Sequence, residues 1–285
     1  MRVSIYSFAL TVLLGIAFIS YTLPNGSGVP ENGSIYVPYR ENIPNINGQW
    51  DTPSEWTDGN EIILQNEFEW TVYIRIKHNQ THLFILLDFI TDQSESSLDS
   101  CGICFDTLDN GGNFPRVDDY EFLLYCFDWS HYGDFYFYHE VYQGRGTGGY
   151  NPWVEIEKPL QTKMEMGFSS INDPYEGNRN HRIYEFQIPC SFLGQGYCYG
   201  FYAFVFDSGT DTLLEWPTNA GGVYQGEEEE IPPAPGNWGD IESDTEFVPE
   251  FSSFIALFSF MIATQLVLTI VCRGSLKGVY RRGRT

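Results

Sequence analysis

Five oxygen-bearing side chains crowd one glycine-rich stretch of the chain. Asp106, Asp109, Asn110, Asp118 and Asp119 stand around the turn Asp109-Asn110-Gly111-Gly112. Calcium takes roughly six to eight hard oxygen ligands on a flexible loop, and these carboxylate and amide oxygens can supply them. The spacing is not that of an EF-hand, because no Glu stands at the twelfth position. Asp and Asn are also ordinary makers of tight turns, so a metal-free loop is the competing reading.

Aromatic side chains offer a second chemistry. A pyranose presents an apolar C–H face that stacks on an aromatic ring, while nearby polar groups fix its hydroxyls. Trp129, Trp153 and Trp216 fall at strand ends or in loops, where a ring can be exposed. Trp50 and Trp56 belong to a tight motif, Asn47-Gly48-Gln49-Trp50-Asp51 with Glu55-Trp56, and are expected to pack. Catalysis has little to stand on. His78, His82, His131, His139 and His181 show no metal-ligand spacing, and neither Gly-x-Ser-x-Gly nor His-Glu-x-x-His occurs. The chain is therefore read as non-enzymatic.

The elements that must position these groups are strands. Val72, Ile74 and Ile76 alternate with Arg75 and Lys77, which puts the apolar three inward and the two cations outward. His78-Asn79-Gln80 turns, and Leu83–Phe89 returns. Ile103–Phe105, Tyr120–Phe127, Phe135–Tyr142, Arg182–Ile188 and Tyr199–Phe206 follow, separated by turn-forming clusters. No segment between the termini keeps a helical period. The expected fold is all-β, an antiparallel β-sandwich over 46–222.

The ends read differently. Residues 1–23 have the form of a secretory signal helix, with a retained anchor as the alternative, and 24–45 that of a turn-rich linker. Residues 223–250, with Glu227–Glu230 and Pro232-Pro233-Ala234-Pro235, read as an acidic proline-rich stalk, or else as an ordered surface loop. Residues 251–272 carry no charge and would span about 33 Å as a helix, enough to cross a bilayer. The tail 273–285 is basic, with Arg273, Lys277, Arg281, Arg282 and Arg284, which places it on the cytoplasmic side. The expected location is thus the cell membrane, as a single-pass protein with an extracellular domain.

Charge and cysteines narrow the partners. All 38 acidic residues but only nine of the 15 basic ones lie within 31–250, which excludes nucleic acid as a partner. Aromatics make up 17% of the chain, too many for a disordered acidic segment. Asn25, Asn32 and Asn79 head Asn-x-Ser/Thr sequons and are candidate glycan acceptors on an exported chain. Of six cysteines, Cys190 and Cys198 flank a short polar segment that a disulfide can staple; buried thiols are the alternative. Cys101 and Cys104 lack the second pair that a zinc ribbon needs.

Two stretches resemble known families. Pro249-Glu250-Phe251, the apolar span and the basic tail together resemble the C-terminal sorting signal of archaeal surface proteins. That resemblance implies processing by an archaeosortase; a permanent anchor is the alternative. The opening tryptophan motif, the Val72–Phe89 hairpin, Phe105-Asp106-Thr107-Leu108-Asp109-Asn110-Gly111-Gly112, Tyr184-Glu185-Phe186-Gln187-Ile188-Pro189 and Glu215-Trp216-Pro217 come in an order that resembles family 9 carbohydrate-binding modules and the wider DOMON-like sandwiches. This resemblance implies an antiparallel sandwich, with sugar bound in some members, haem in others, and structural calcium in some sugar binders. It also implies Trp216, with Asn219, as the sugar-stacking pair. Met164 and Met166 are the candidates for a haem ligand. Carbohydrate binding is the leading expectation, with a structural or adhesive envelope protein and a haem module as alternatives.

Overall fold

Alternating apolar residues between turn-forming clusters make strands, and the computed structural model has fifteen among its described residues. They are β1 (Ser34–Tyr36), β2 (Asn60–Gln65), β3 (Thr71–His78), β4 (His82–Phe89), β5 (Ser100–Asp106), β6 (Asp119–Asp128), β7 (Phe135–Gly144), β8 (Trp153–Glu155), β9 (Lys163–Phe168), β10 (Arg182–Pro189), β11 (Cys198–Asp207), β12 (Thr212–Trp216), β13 (Val223–Tyr224), β14 (Glu230–Ile231) and β15 (Gly239–Glu242). One helical turn, α1 (Cys190–Leu193), follows β10. The structure describes residues 33–94, 96–128, 135–148, 151–175, 180–194, 196–224 and 230–247, with Ile262, Thr264 and Gln265. Trp129, Asn25, Asn32, Pro249, Glu250 and Phe251 lie outside them, as do the signal 1–23, the tail 273–285 and nearly all of 251–272. Among the described residues no helix is long and apolar enough to cross a membrane.

The strands form two main sheets, as expected of a sandwich. The larger runs β1-β15-β11-β5-β6-β7-β8, with β12 also paired to β11; the smaller runs β2-β3-β4-β10-β9. Pairing is antiparallel except between β1 and β15, where Ile35 sits beside Ile241 in a parallel register. The core lies between the sheets. Val72, Ile74, Ile76, Leu83, Ile85, Leu87, Tyr184 and Phe186 from one side meet Cys101, Ile103, Phe105, Phe122, Phe201, Ala203 and Val205 from the other. Met164 and Met166 are 3% and 4% exposed in the same core, so both are packing side chains and neither presents a haem ligand.

Three expectations are corrected. The first concerns Arg75 and Lys77, which face away from the core yet are buried. The segment before β2 lies over the outer face of β3, β4 and β10, where Ile46, Trp50 and Trp56 pack on Phe84, Leu86 and Ile183. Lys77 is held there by Asp58 Oδ1 and the Glu55 carbonyl, both at 2.7 Å, with the Trp56 ring 5.5 Å away. Gly48 makes this lid possible: φ is +75°, and a Cβ would lie 2.6 Å from the Met166 backbone.

The second correction concerns the expected stalk and linker. Residues 232–247 pack into the sandwich rather than forming a stalk, while Glu230–Ile231 pairs with β13 in a separate two-stranded sheet. β15 pairs with both β11 and β1, and Ile241 and Phe247 are fully buried in the core. Trp238 is 3% exposed and donates from Nε1 to the Pro233 carbonyl at 2.9 Å. Residues 34–39, expected in the linker, tie the sheets together: β1 lies beside β15, and Tyr39 bridges to His78 of β3. The third concerns Cys190 and Cys198, which are not joined. Cys190 turns into the core at α1, whereas Cys198 directs its thiol at Asp109 Oδ2, 3.7 Å away.

Candidate functional site

The turn after β5 gathers part of the expected cation set. Asp106, Asp118 and Asp119 place one carboxylate oxygen each within 4.8 Å of the others. Asp106 is held by its own loop: its Oδ2 accepts from the backbone N–H of Asn110 (2.8 Å) and Gly111 (2.6 Å). Asp119 is fully buried; its Oδ2 accepts from the Arg116 backbone at 2.6 Å, while Oδ1 has no hydrogen-bond partner among the described residues. Burial pushes its carboxyl up to about 7, with Asp106 and Asp118 adding to the rise. A buried carboxylate oxygen without a donor is costly, and a divalent cation held by Asp119 together with Asp106 and Asp118 relieves it. These three residues therefore fit a hard cation.

The other two members of the set behave differently. Asn110 donates from Nδ2 to Asp118 at 2.6 Å, and its Oδ1 accepts from Arg116, so it serves as a strut. Asp109, with φ of +48°, turns away and groups instead with Cys198 and Asp240.

A further carboxylate cluster is built from residues that no local spacing would join. Asp92, Asp99 and Asp207, all buried, approach one another at the other end of β5 and β11. Their cation is already present in part: Arg182 Nη2 lies 3.2 Å from Asp99 Oδ2.

The tryptophans divide. Trp153 is 7% exposed and packs with Cys104, Tyr202, Phe204 and Trp238 on the outer face of the larger sheet, so its ring cannot take a ligand. Trp50 and Trp56 are fully buried, as expected. Trp216 is half-buried at the sandwich edge, tilted on Phe201 with centroids 5.7 Å apart. Asn219 is exposed in the following turn, with φ of +63°. Glu215 organises that turn by accepting from the Gly221 and Gly222 backbone. Asn79, in the β3–β4 turn, uses its Oδ1 to accept from Thr81 and His82.

One aromatic surface was not anticipated. Tyr136 and Tyr138 of β7 are 52% and 40% exposed on the outer face of the larger sheet. Tyr125 of β6 stacks on Tyr138 with centroids 5.5 Å apart and planes at 14°. Glu140 locks the strip: Oε1 accepts from the Tyr125 hydroxyl at 2.9 Å and Oε2 from the Tyr142 hydroxyl. Burial, and then that bond to Glu140, holds the Tyr125 phenol well above its ordinary range, so it stays a neutral donor. The arrangement is a strip of tyrosines on the sheet face, two of them stacked on each other, with the Glu140 carboxylate beside it.

No protein-family model matches the chain, and no curated protein matches it. Among solved structures it is similar to a family 9 carbohydrate-binding module from Caldicellulosiruptor kristjanssonii in complex with cellotriose, at 16% identity over 74% of this chain and 93% of that one, with a TM-score of 0.46. The glucose complex of a family 9 module from the same organism gives 16% identity, 74% and 96% coverage and a TM-score of 0.44. Likeness of this degree carries no information on what this chain binds, which has to be argued from its own residues.

Proposed function

We infer that this chain is a non-enzymatic, cell-surface protein whose sandwich binds carbohydrate and is stabilised by calcium. The observation that carries the reading is the Tyr125–Tyr136–Tyr138 strip beside Glu140. Exposed tyrosine rings on one sheet face suit the apolar face of a sugar, and a carboxylate at their side suits its hydroxyls. Trp216 with Asn219 is a second, smaller platform. The membrane anchor over 251–272, with or without archaeosortase processing at Pro249-Glu250-Phe251, would display the sandwich outside the cell. Asn25, Asn32 and Asn79 would then be open to glycosylation.

The test is a glycan array probed with the purified full chain in calcium. Tyr136→Ala with Tyr138→Ala should weaken the strongest hit roughly tenfold, equivalent to about 1.4 kcal/mol, with the fold intact. Intact cells carrying the chain should bind that glycan and lose it to external protease. Silence across the array, together with self-association of the chain that the same double variant removes, would establish the adhesive alternative instead.

Calcium is assigned to Asp106, Asp118 and Asp119. With calcium at about a hundred times its dissociation constant, occupancy stabilises by about 2.7 kcal/mol. Chelation should then lower the melting temperature by roughly 5–10 °C, and added calcium should restore it. Asp118→Asn with Asp119→Asn should melt alike with and without chelator; a calcium response that persists in this variant would rule the site out.

A further inference from the structure

Another donor cluster lies on the outer face of the smaller sheet, drawn from β4 and from the segment that leads into β10. Asp88 is on the outer face of β4, His181 immediately precedes β10, and Asp173 is in a turn. The side chains of Asp88 and His181 are fully buried and that of Asp173 is 1% exposed. All three converge on one ring nitrogen: His181 Nε2 lies 2.6 Å from Asp88 Oδ1 and 2.7 Å from Asp173 Oδ2.

One imidazole nitrogen carries at most one proton, and one N–H cannot point along two such directions. Neither Asp88 oxygen, nor Asp173 Oδ2, has an aligned hydrogen-bond donor among the described residues. The other atoms of the cluster are well held. Asp173 Oδ1 accepts from the Tyr175 backbone at 2.8 Å, and the Ser169 hydroxyl lies 3.2 Å from His181 Nδ1. Even with a protonated ring, two carboxylates leave one negative charge in a site without water access, which is a costly arrangement.

We propose that Asp88, Asp173 and His181 bind a single zinc-class divalent cation that pins the turn at Asp173 and the start of β10 to β4. One imidazole nitrogen and two carboxylates suit zinc, whereas calcium prefers oxygen alone. A divalent ion cancels the two carboxylate charges and can be shared by all three groups, whose ligand atoms lie within 4.8 Å of one another. The site is buried, and Asp88, neither of whose oxygens has an aligned donor among the described residues, would complete the four ligands of a structural site by binding through both. Its consequence is positional: Tyr175, two residues past Asp173, stacks on Tyr73 at 3.7 Å and donates to Glu61 of β2, so the ion anchors the whole outer face of this sheet.

The experiment uses the full purified chain, stripped, loaded with zinc and desalted. Wild type should retain one more equivalent of zinc than Asp173→Asn or Asp88→Asn. Asp173→Asn is the cleaner variant, since its Oδ1 can still accept from Tyr175 while the charge is lost. Zinc-edge absorption of wild type should show an imidazole nitrogen at about 2.0–2.1 Å among oxygens. Equal zinc content in wild type and Asp173→Asn would reduce the cluster to an imidazolium between two carboxylates. If both variants fail to fold, the wild-type spectrum decides alone, and absence of a nitrogen ligand overturns the site.

Discussion

A chain cut after Gly222 should not fold. The cut removes β15, which supplies the neighbour of both β11 and β1 in the larger sheet. It also removes Trp238, Ile241 and Phe247, which are at most 3% exposed. Burial of one such side chain is worth about 1.5–3 kcal/mol, so the three together contribute roughly 5–9 kcal/mol. Total stabilities are typically about 5–15 kcal/mol, and the loss of strand pairing adds to the deficit. His78, fully buried, would lose Ser243 Oγ, 2.8 Å from its Nε2. Circular dichroism during heating should show no cooperative transition for the truncated chain and a single steep one for the full chain. A truncated chain melting within a few degrees of wild type would return 232–247 to the role of a stalk.

That segment also shows what could and could not be read from the residues alone. Long strands were legible, because β3, β4, β10 and β11 each carry enough alternating apolar residues to identify a face. β15 was not: four residues beyond an acidic, proline-rich run carry no period, and only the pairing with β11 makes them a strand. Lys77 was placed on the correct face of β3 but assigned to solvent, since nothing in the local pattern says that 40–58 folds back over that face. The Asp106–Asp119 loop was legible because its acids are close in the chain. The Asp88, Asp173, His181 and Asp92, Asp99, Asp207 clusters were not, because their members come from separate strands and turns. The tyrosine strip was hidden for another reason. Phe135–Tyr138 is aromatic at every position, so alternation cannot assign its rings to one face of the sheet or the other.

Glu185→Ala should be among the most damaging single substitutions in the domain. Glu185 is fully buried on β10, and its carboxylate is what the lid segment closes onto. Oε2 accepts from the backbone N–H of Asn47 (2.8 Å) and Gly48 (2.7 Å), and Oε1 accepts from Trp56 Nε1 (3.0 Å). Removing it leaves the buried Gly48 and Trp56 donors and the part-buried Asn47 donor unsatisfied, at about 1–3 kcal/mol for each buried one. A loss of about 3–6 kcal/mol is expected, or roughly 10–20 °C in melting temperature. Glu165→Ala, at the exposed position opposite Glu185 on β9, should change stability by no more than about 0.5 kcal/mol. Burial raises the Glu185 carboxyl to about 8 against the pull of its hydrogen bonds, and the neighbouring Glu55 charge adds to the rise. The folded chain therefore holds a proton there that the unfolded chain releases near pH 4.5. The stabilisation from this proton is complete below the unfolded value and disappears as pH rises through about 8. Wild type should accordingly melt higher at pH 5 than at pH 8, and Glu185→Gln should lose that part of the slope while keeping an oxygen for Asn47 and Gly48. An unchanged pH slope in Glu185→Gln would show that the carboxyl is ionised in the folded state.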